Sequence, residues 1–176
     1  MEFKIIKQQY NSKNCIVCGL ENRLGLKTRF YETATGELIA LCTPLPEHQS
    51  YPNRLHGGIS TALLDETIGR AICCGTSDMI WGVTLDLAVK FRKPVPYGSE
   101  IKIIGRITAD RGRVFEGTGE IYLPTGEIAV TAHGTYIKAT VDKITDGNFD
   151  TSEEWGLLGN EPMPEKITIL TAARNN

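Results

Sequence analysis

The stretch from Gly57 to Cys74, GGISTALLDETIGRAICC, decides the fold. Its apolar residues Ile59, Ala62, Leu63, Leu64, Ile68, Ala71 and Ile72 cover most of a helical wheel, which predicts one long helix buried nearly all round. Downstream, Val83, Leu85, Leu87, Val89 and Phe91 alternate with Thr84, Asp86, Ala88, Lys90 and Arg92. That period of two predicts a long strand with one wet face. Pro94, Pro96 and Gly98 end it, and three further strands follow: Ile101 to Asp110, Val114 to Leu123, and Glu127 to Val141. Arg111-Gly112-Arg113 and Pro124-Thr125-Gly126 are the turns between them. Upstream, Gly25 to Glu32 and Glu37 to Pro44 read as two strands joined through Thr33-Ala34-Thr35-Gly36. Two strands, one buried helix and a four-stranded meander predict an α+β fold, an antiparallel sheet wrapped around one central helix.

Composition sets the surroundings of that core. With 176 residues, 41% hydrophobic and 23% charged, the chain has the length and makeup of one globular domain with short extensions. Its net charge of −2 gives no general positive field for nucleic acid or an acidic membrane, so neither is an expected partner. No run approaches the roughly 18 apolar residues of a membrane helix, and the opening MEFKIIKQQYNSKN lacks the apolar centre of a signal peptide. Cytoplasmic placement is expected, and the odd number of cysteines (Cys15, Cys18, Cys42, Cys73, Cys74) suits reduced thiols. Residues 142–176 carry a net −4 together with Gly156, Gly159, Pro162 and Pro164, and read as an irregular acidic extension. Within it, Trp155, Leu157 and Leu158 are apolar enough to dock on the body, and Ile167 to Leu170 suit a short strand. The division is therefore 1–24, an N-terminal segment with a Cys-x-x-Cys; 25–141, the sheet-and-helix domain; and 142–176, the extension.

Chemistry concentrates at His56-Gly57-Gly58 and Asp65-Glu66. Two glycines at a helix start leave the first-turn N–H groups uncovered at the positive end of the helix dipole, where a developing oxyanion fits. Asp65 lies among Leu63, Leu64 and Ile68, where an unpaired carboxylate is costly. Taken singly, each has an ordinary structural explanation: a permissive helix start, and a core carboxylate satisfied by a neighbouring donor. Gly57 and Asp65 are eight residues apart, about 12 Å along one helix axis. They cannot both reach one carbonyl, so if both act, the acid comes from a second copy of the chain.

The motif HGGISTALLDE, with EHQSYPNRL before it and GVTLDLAVKFRKPVPYG after it, resembles the HotDog-fold acyl-CoA thioesterases of the PaaI-like (phenylacetate-pathway) group. The opening CIVCGLENRLGL is similar to that of one of its subgroups, and the likeness runs over roughly residues 15–140. By that resemblance Gly57 supplies the N–H that polarises the thioester carbonyl, and Asp65 is general base or nucleophile. His56 positions the oxyanion loop and Thr84 assists the water or carboxylate. Asn53, Gly58 and Glu66 join the substrate-binding residues. Some relatives carry an amide about six residues before the histidine; here Ser50 stands there, with Asn53 taken as the nearest amide. Coenzyme A carries phosphates, and Arg92, Lys93, Arg111 and Arg113, with Gly112 between the last two, are the candidate contacts.

The resemblance implies an acyl-CoA thioesterase acting as a homodimer or homotetramer with composite sites. It needs no cofactor, since CoA belongs to the substrate, and no metal. The alternatives are a HotDog dehydratase or hydratase on thioesters, and a non-catalytic acyl-thioester binding protein. Cys15 and Cys18 offer two thiols where zinc wants four ligands, so loop packing is the expectation for them. Cys73 and Cys74 are expected in the core, His48 in a loop, and His133 on the strand surface or an interface.

Overall fold

The computed structural model describes residues 1–76, 80–158 and 162–172. Strands β1 (Glu2–Gln8) and β2 (Asn11–Ser12) precede the hairpin β3 (Arg29–Thr33) and β4 (Leu38–Cys42). A 3-10 turn, Pro46–His48, leads into the small hairpin β5 (Gln49–Tyr51) and β6 (Arg54–Leu55), and then into helix α1 (Gly57–Ala71). The meander follows as β7 (Ile80–Phe91), β8 (Ile101–Asp110), β9 (Val114–Tyr122) and β10 (Ile128–Thr140). Short helices α2 (Val141–Ile144) and α3 (Thr151–Glu154) and strands β11 (Trp155–Gly156) and β12 (Lys166–Thr168) complete the chain. Among the described residues the main sheet has eight strands in the order β12-β1-β3-β4-β8-β9-β10-β7, with every pairing antiparallel. This is the HotDog architecture expected from the sequence, the sheet forming the bun around α1.

Helix α1 starts where His56 caps it, the ring Nδ1 accepting from the Gly58 N–H at 2.9 Å. It ends at Ala71, ahead of a turn in which Gly75 takes φ +75°, so the helix is three residues shorter than the apolar run suggested. Ser60, Leu63, Leu64, Thr67, Ile68 and Ala71 are buried against the sheet. The sheet lets the helix come close through glycine: a Cβ on Gly105 would lie 2.7 Å from the Thr67 carbonyl oxygen, and one on Gly117 would lie 2.5 Å from Ile68 Cγ2. The helix is not covered all round. Gly58 is exposed, and Thr61, Ala62 and Asp65 are half-buried along one stripe beside β7.

Strand β7 also departs from expectation. It is exposed or half-exposed at every position because it forms one end of the sheet and leaves a long edge unpaired. A register shift between Thr135 and Tyr136 of β10 also breaks its alternation.

The terminal segments take part in the sheet. Phe3 and Ile5 of β1 and Ile167 and Ile169 near β12 pack with Tyr31, Ile39, Ile104 and Tyr122 in a second apolar cluster. The Lys102 ammonium donates to the Thr168 carbonyl at 2.7 Å and the Ala172 N–H to the Gly126 carbonyl at 2.9 Å, so this last stretch is tied down across β8 and the β9–β10 turn. The strand expected at Ile167 to Leu170 is present as the shorter β12, which starts one residue earlier and ends two residues earlier. Strand β1 was not anticipated, although Phe3 and Ile5 alternate with Glu2 and Lys4. Trp155 docks as its sequence suggested, its ring 4.6 Å from that of Trp81.

Candidate active site

At the head of α1, Gly57 borders a cleft of about 290 Å³ lined by Leu55, Ser60, Phe91, Arg92, Lys93 and Val95. The Gly57 position lies against the Phe91 ring, where an added Cβ would make contact at 3.4 Å. His56 holds the first turn open through its Nδ1 cap, and its carbonyl accepts from the N–H groups of Ile59 and Ser60. No acceptor among the described residues takes the Gly57 N–H, which leaves it as a free donor at the positive end of the helix.

Further along the same helix, Asp65 Oδ1 accepts two hydroxyl donors: Thr84 Oγ1 of β7 at 2.8 Å and Tyr136 Oη of β10 at 3.2 Å. Tyr136 is fully buried and stacked on Phe115, with ring centroids 5.1 Å apart. Burial, then the neighbouring Asp65 charge and the hydrogen bond to it, push the Tyr136 phenol above its ordinary range, which keeps it a donor. The carboxylate is thereby oriented by two hydroxyls on a half-exposed stripe. The sequence brought out Thr84 but not Tyr136, because the β10 partner of the helix is set by the sheet order and carries no local signal.

Glu66 points elsewhere, as the 100° step between helix neighbours requires. Its carboxylate pairs with Arg70 at 2.7 Å and lies 3.8 Å from Cys18 Sγ. Glu66 therefore faces the Cys-x-x-Cys loop of residues 15–18 and does not share the stripe of Gly58 and Asp65, against its expected place with the substrate-binding residues. The hydrogen bond from Cys18 pulls the Cys15 thiol down to about 7, and the same bond together with burial pushes Cys18 upward. Cys73 and Cys74 are half-buried and not fully in the core. His48 is a buried fastener: Nδ1 accepts from the Leu45 N–H at 2.9 Å, which leaves Nε2 to donate to the Leu24 carbonyl at 2.8 Å. His133 is exposed on β10.

Of the candidate CoA contacts, Arg92 and Lys93 stand at the cleft beside Gly57, their backbone N–H groups both donating to the Ala129 carbonyl. The Lys93 ammonium pairs with Glu127. Arg111 pairs with Glu116 at 3.0 Å, Gly112 takes φ +80° in the turn, and Arg113 is exposed. This second group is not brought to the first within one chain. Phe91 is paired with Val130, whereas Val114 is paired with Ile137 and thence with Val83. The Arg111 to Arg113 turn thus lies at the far end of the sheet, roughly 25 Å along β7 from Phe91.

Asn53 occupies the tip of the β5–β6 hairpin with φ +61°, its N–H donating to Tyr97 Oη at 3.1 Å. The amide next to Ser50 is Gln49 and not Asn53. Gln49 lies exposed on β5, with Oε1 accepting from Tyr97 Oη at 3.5 Å. Counting outward from Ser50 in both directions finds it.

Residues 53–130 match the family model described as the thioesterase superfamily. Among solved structures the chain is similar to protein RHA08564, a thioesterase superfamily protein, at 26% identity with a TM-score of 0.64; the match covers 71% of this chain and 60% of that one. The chain thus spans less than two thirds of that relative's length. A Bacillus halodurans protein solved with CoA shares 22% identity, TM-score 0.58, over 65% of this chain and 75% of that one. The E. coli PaaI protein from the phenylacetic acid degradation operon shares 15% identity, TM-score 0.58, over 65% and 80% of the two chains. No curated protein matches the chain by sequence. No helix among the described residues is long and apolar enough to cross a membrane.

Proposed function

Because residues 53–130 match the thioesterase superfamily model and the chain has the HotDog architecture, we propose that it hydrolyses acyl-CoA thioesters to the free acid and CoA. The observation that carries the reading is the pair of hydroxyls, Thr84 and Tyr136, that aim the Asp65 carboxylate on the uncovered stripe of α1. An acid so held is arranged for use on something that arrives from outside its own chain.

The site is composite. Strand β7 ends the sheet and exposes Leu85 and Phe91 at 58% and 57%, an edge open to pairing with a second copy. Two β7 edges paired antiparallel across a twofold axis set the Val83 end of one chain beside the Phe91 end of the other. Asp65 and the Arg111 to Arg113 turn of the partner subunit then come to the cleft at Gly57. This pairing resolves both separations along one chain: that of Gly57 from Asp65, and that of Arg92 and Lys93 from Arg111 and Arg113. A homodimer is the smallest assembly that completes it, and a homotetramer contains two such dimers.

In that arrangement the Gly57 N–H polarises the thioester carbonyl and receives its negative charge. His56 keeps the donor in place through its cap. Asp65 of the partner subunit takes a proton from water as the water attacks and passes it to the departing thiolate, or attacks the carbonyl itself to give a mixed anhydride that water then hydrolyses to the free acid, with Thr84 holding the carboxylate. The leaving group is the CoA thiolate, and the guanidiniums and ammonium at the cleft meet its phosphates. The Bacillus halodurans relative solved with CoA supports this ligand class. Nothing in this hydrolysis calls for a cofactor, and neither nucleic acid nor membrane enters it. Residues 25–141 form the HotDog domain that carries the chemistry, with 1–24 and 142–176 as extensions whose strands β1 and β12 lengthen its sheet. We place the protein in the cytoplasm, in keeping with its odd number of cysteines and its opening without an apolar signal-peptide centre.

Thiol release from a panel of acyl-CoAs, read with a disulfide reagent, tests the proposal. Turnover of at least one member is expected. Tight acyl-CoA binding with no thiol released would mark a binding protein, and hydration of an enoyl-CoA without hydrolysis a hydratase.

A further inference from the structure

The sequence offered two thiols for a metal, and the fold adds a third ligand. Cys15 Sγ, Cys18 Sγ and a carboxylate oxygen of Glu66 all lie within 4.8 Å of one another. The Cys18–Glu66 contact is 3.8 Å. Tetrahedral zinc, with sulfur at about 2.3 Å and oxygen at about 2.0–2.2 Å, separates its ligand atoms by roughly 3.4–3.8 Å. Small rotamer movements close the set to that size. We propose that Cys15, Cys18 and Glu66 bind one soft divalent cation, zinc foremost, which ties the N-terminal loop to α1.

Hydrogen bonding supports the assignment: both sulfurs accept backbone or side-chain donors, and the proton that Cys18 directs at Glu66 Oε1 at 3.8 Å stands where an ion would replace it. The Val17 N–H donates to Cys15 Sγ at 3.3 Å, the Ser12 N–H to Cys18 Sγ at 3.4 Å, and Arg70 Nη2 to Cys18 Sγ at 3.3 Å. Donors of this kind stabilise thiolates, the form in which cysteine ligates a metal. The loop is built to keep the two sulfurs together. The Gly19 N–H closes it onto the Cys15 carbonyl at 2.8 Å, and a Cβ at Gly19 would lie 2.3 Å from that oxygen. Buried Asn11 pins the other side through bonds to the Cys18 and Thr28 carbonyls at 2.7 and 2.8 Å.

Charge supports it as well. Two thiolates and one carboxylate carry three negative charges, which a divalent cation and the Arg70 guanidinium neutralise together. Arg70, 4% exposed, pairs with Glu66 Oε1, the same oxygen that lies 3.8 Å from Cys18 Sγ, so the guanidinium and the ion share this carboxylate. Cysteine ligates as thiolate, so the ion takes the place of thiol protons in this balance. The fourth position falls to water, since Cys15 is only half-buried and no further Cys, His, Asp or Glu joins the group among the described residues. The site lies on the Glu66 side of α1 and has no part in thioester turnover.

Full-length protein, reduced and stripped with a chelator, is titrated with Co²⁺ as an optical probe. One Co²⁺ per chain is expected, with a thiolate-to-cobalt charge-transfer band and the strong visible bands of a four-coordinate ion. Cys15→Ser, in the half-buried loop position, should remove the charge-transfer band. Glu66→Gln should weaken binding at least as much as the 10- to 100-fold typical of lost supporting contacts. Added Zn²⁺ should raise the Tm of the stripped wild-type chain in a concentration-dependent way. Absence of the charge-transfer band from reduced wild-type protein, or its full survival in Cys15→Ser, overturns the assignment. None of these readings depends on acyl-CoA hydrolysis.

Discussion

The Thr84 hydroxyl donates to Asp65 Oδ1 at 2.8 Å, from the exposed edge strand to the half-covered stripe of the central helix. This one bond aligns the two elements that a second subunit would meet. It also fixes which way the carboxylate faces, and the buried Tyr136 adds a second donor behind it at 3.2 Å.

Removing either hydroxyl should loosen the carboxylate without removing it. Hydrogen bonds to charged groups are worth about 1.5–3 kcal/mol, so Thr84→Val should lower kcat on the order of 10-fold or more. Tyr136→Phe keeps the ring that stacks on Phe115 and should act in the same direction. Steady-state kinetics with circular dichroism as the fold control make the check; unchanged kcat in both variants would show that the orientation of Asp65 is immaterial.

The helix, the hairpin and the meander were legible because each carries a local period. The bounds that the sequence predicts for Ile101 to Asp110 are those of β8, and the other elements lie within one to a few residues of their predicted bounds. What was not legible depends on neighbours distant in the chain. Asp65 was identified from its apolar surroundings and its motif, but Tyr136, 71 residues away, reaches it only through the strand order. Glu66 sits next to Asp65 in sequence yet belongs to another environment, which required knowing that residues 15–18 fold against α1. The exposure of β7 departs from its alternation for a related reason: alternation reports which face is apolar, whereas position at the end of a sheet decides how much of either face is covered.

The proposed edge pairing through β7 would make assembly and turnover rise and fall together. Leu85→Asp puts a charge at an exposed apolar position of that strand. Wild type is expected to scatter as a dimer or tetramer, and the variant should scatter as a monomer and lose thiol release in the same sample. A monomer that still hydrolyses acyl-CoA would defeat the composite site.

Close approach of helix and sheet predicts a stability effect away from the chemistry. Gly105→Ala drives a methyl to within 2.7 Å of the Thr67 carbonyl oxygen, a backbone atom with little room to move. Overpacking of this kind costs about 1–3 kcal/mol, to be read as a lower urea midpoint at unchanged m-value. No loss of stability would mean that α1 sits further from β8.

The central claim is that the Asp65 carboxylate drives thioester hydrolysis, and the most direct test compares thiol release by wild type, Asp65→Asn and Glu66→Gln on the best acyl-CoA of the panel. Loss of a general base or nucleophile costs on the order of 100-fold or more in rate. Asp65→Asn, nearly isosteric, should therefore lose that much in kcat while still binding acyl-CoA and keeping its oligomeric state, and Glu66→Gln should remain within a few-fold of wild type. Near-normal turnover by Asp65→Asn would contradict the account, and doubly so if Glu66→Gln were the variant that lost it.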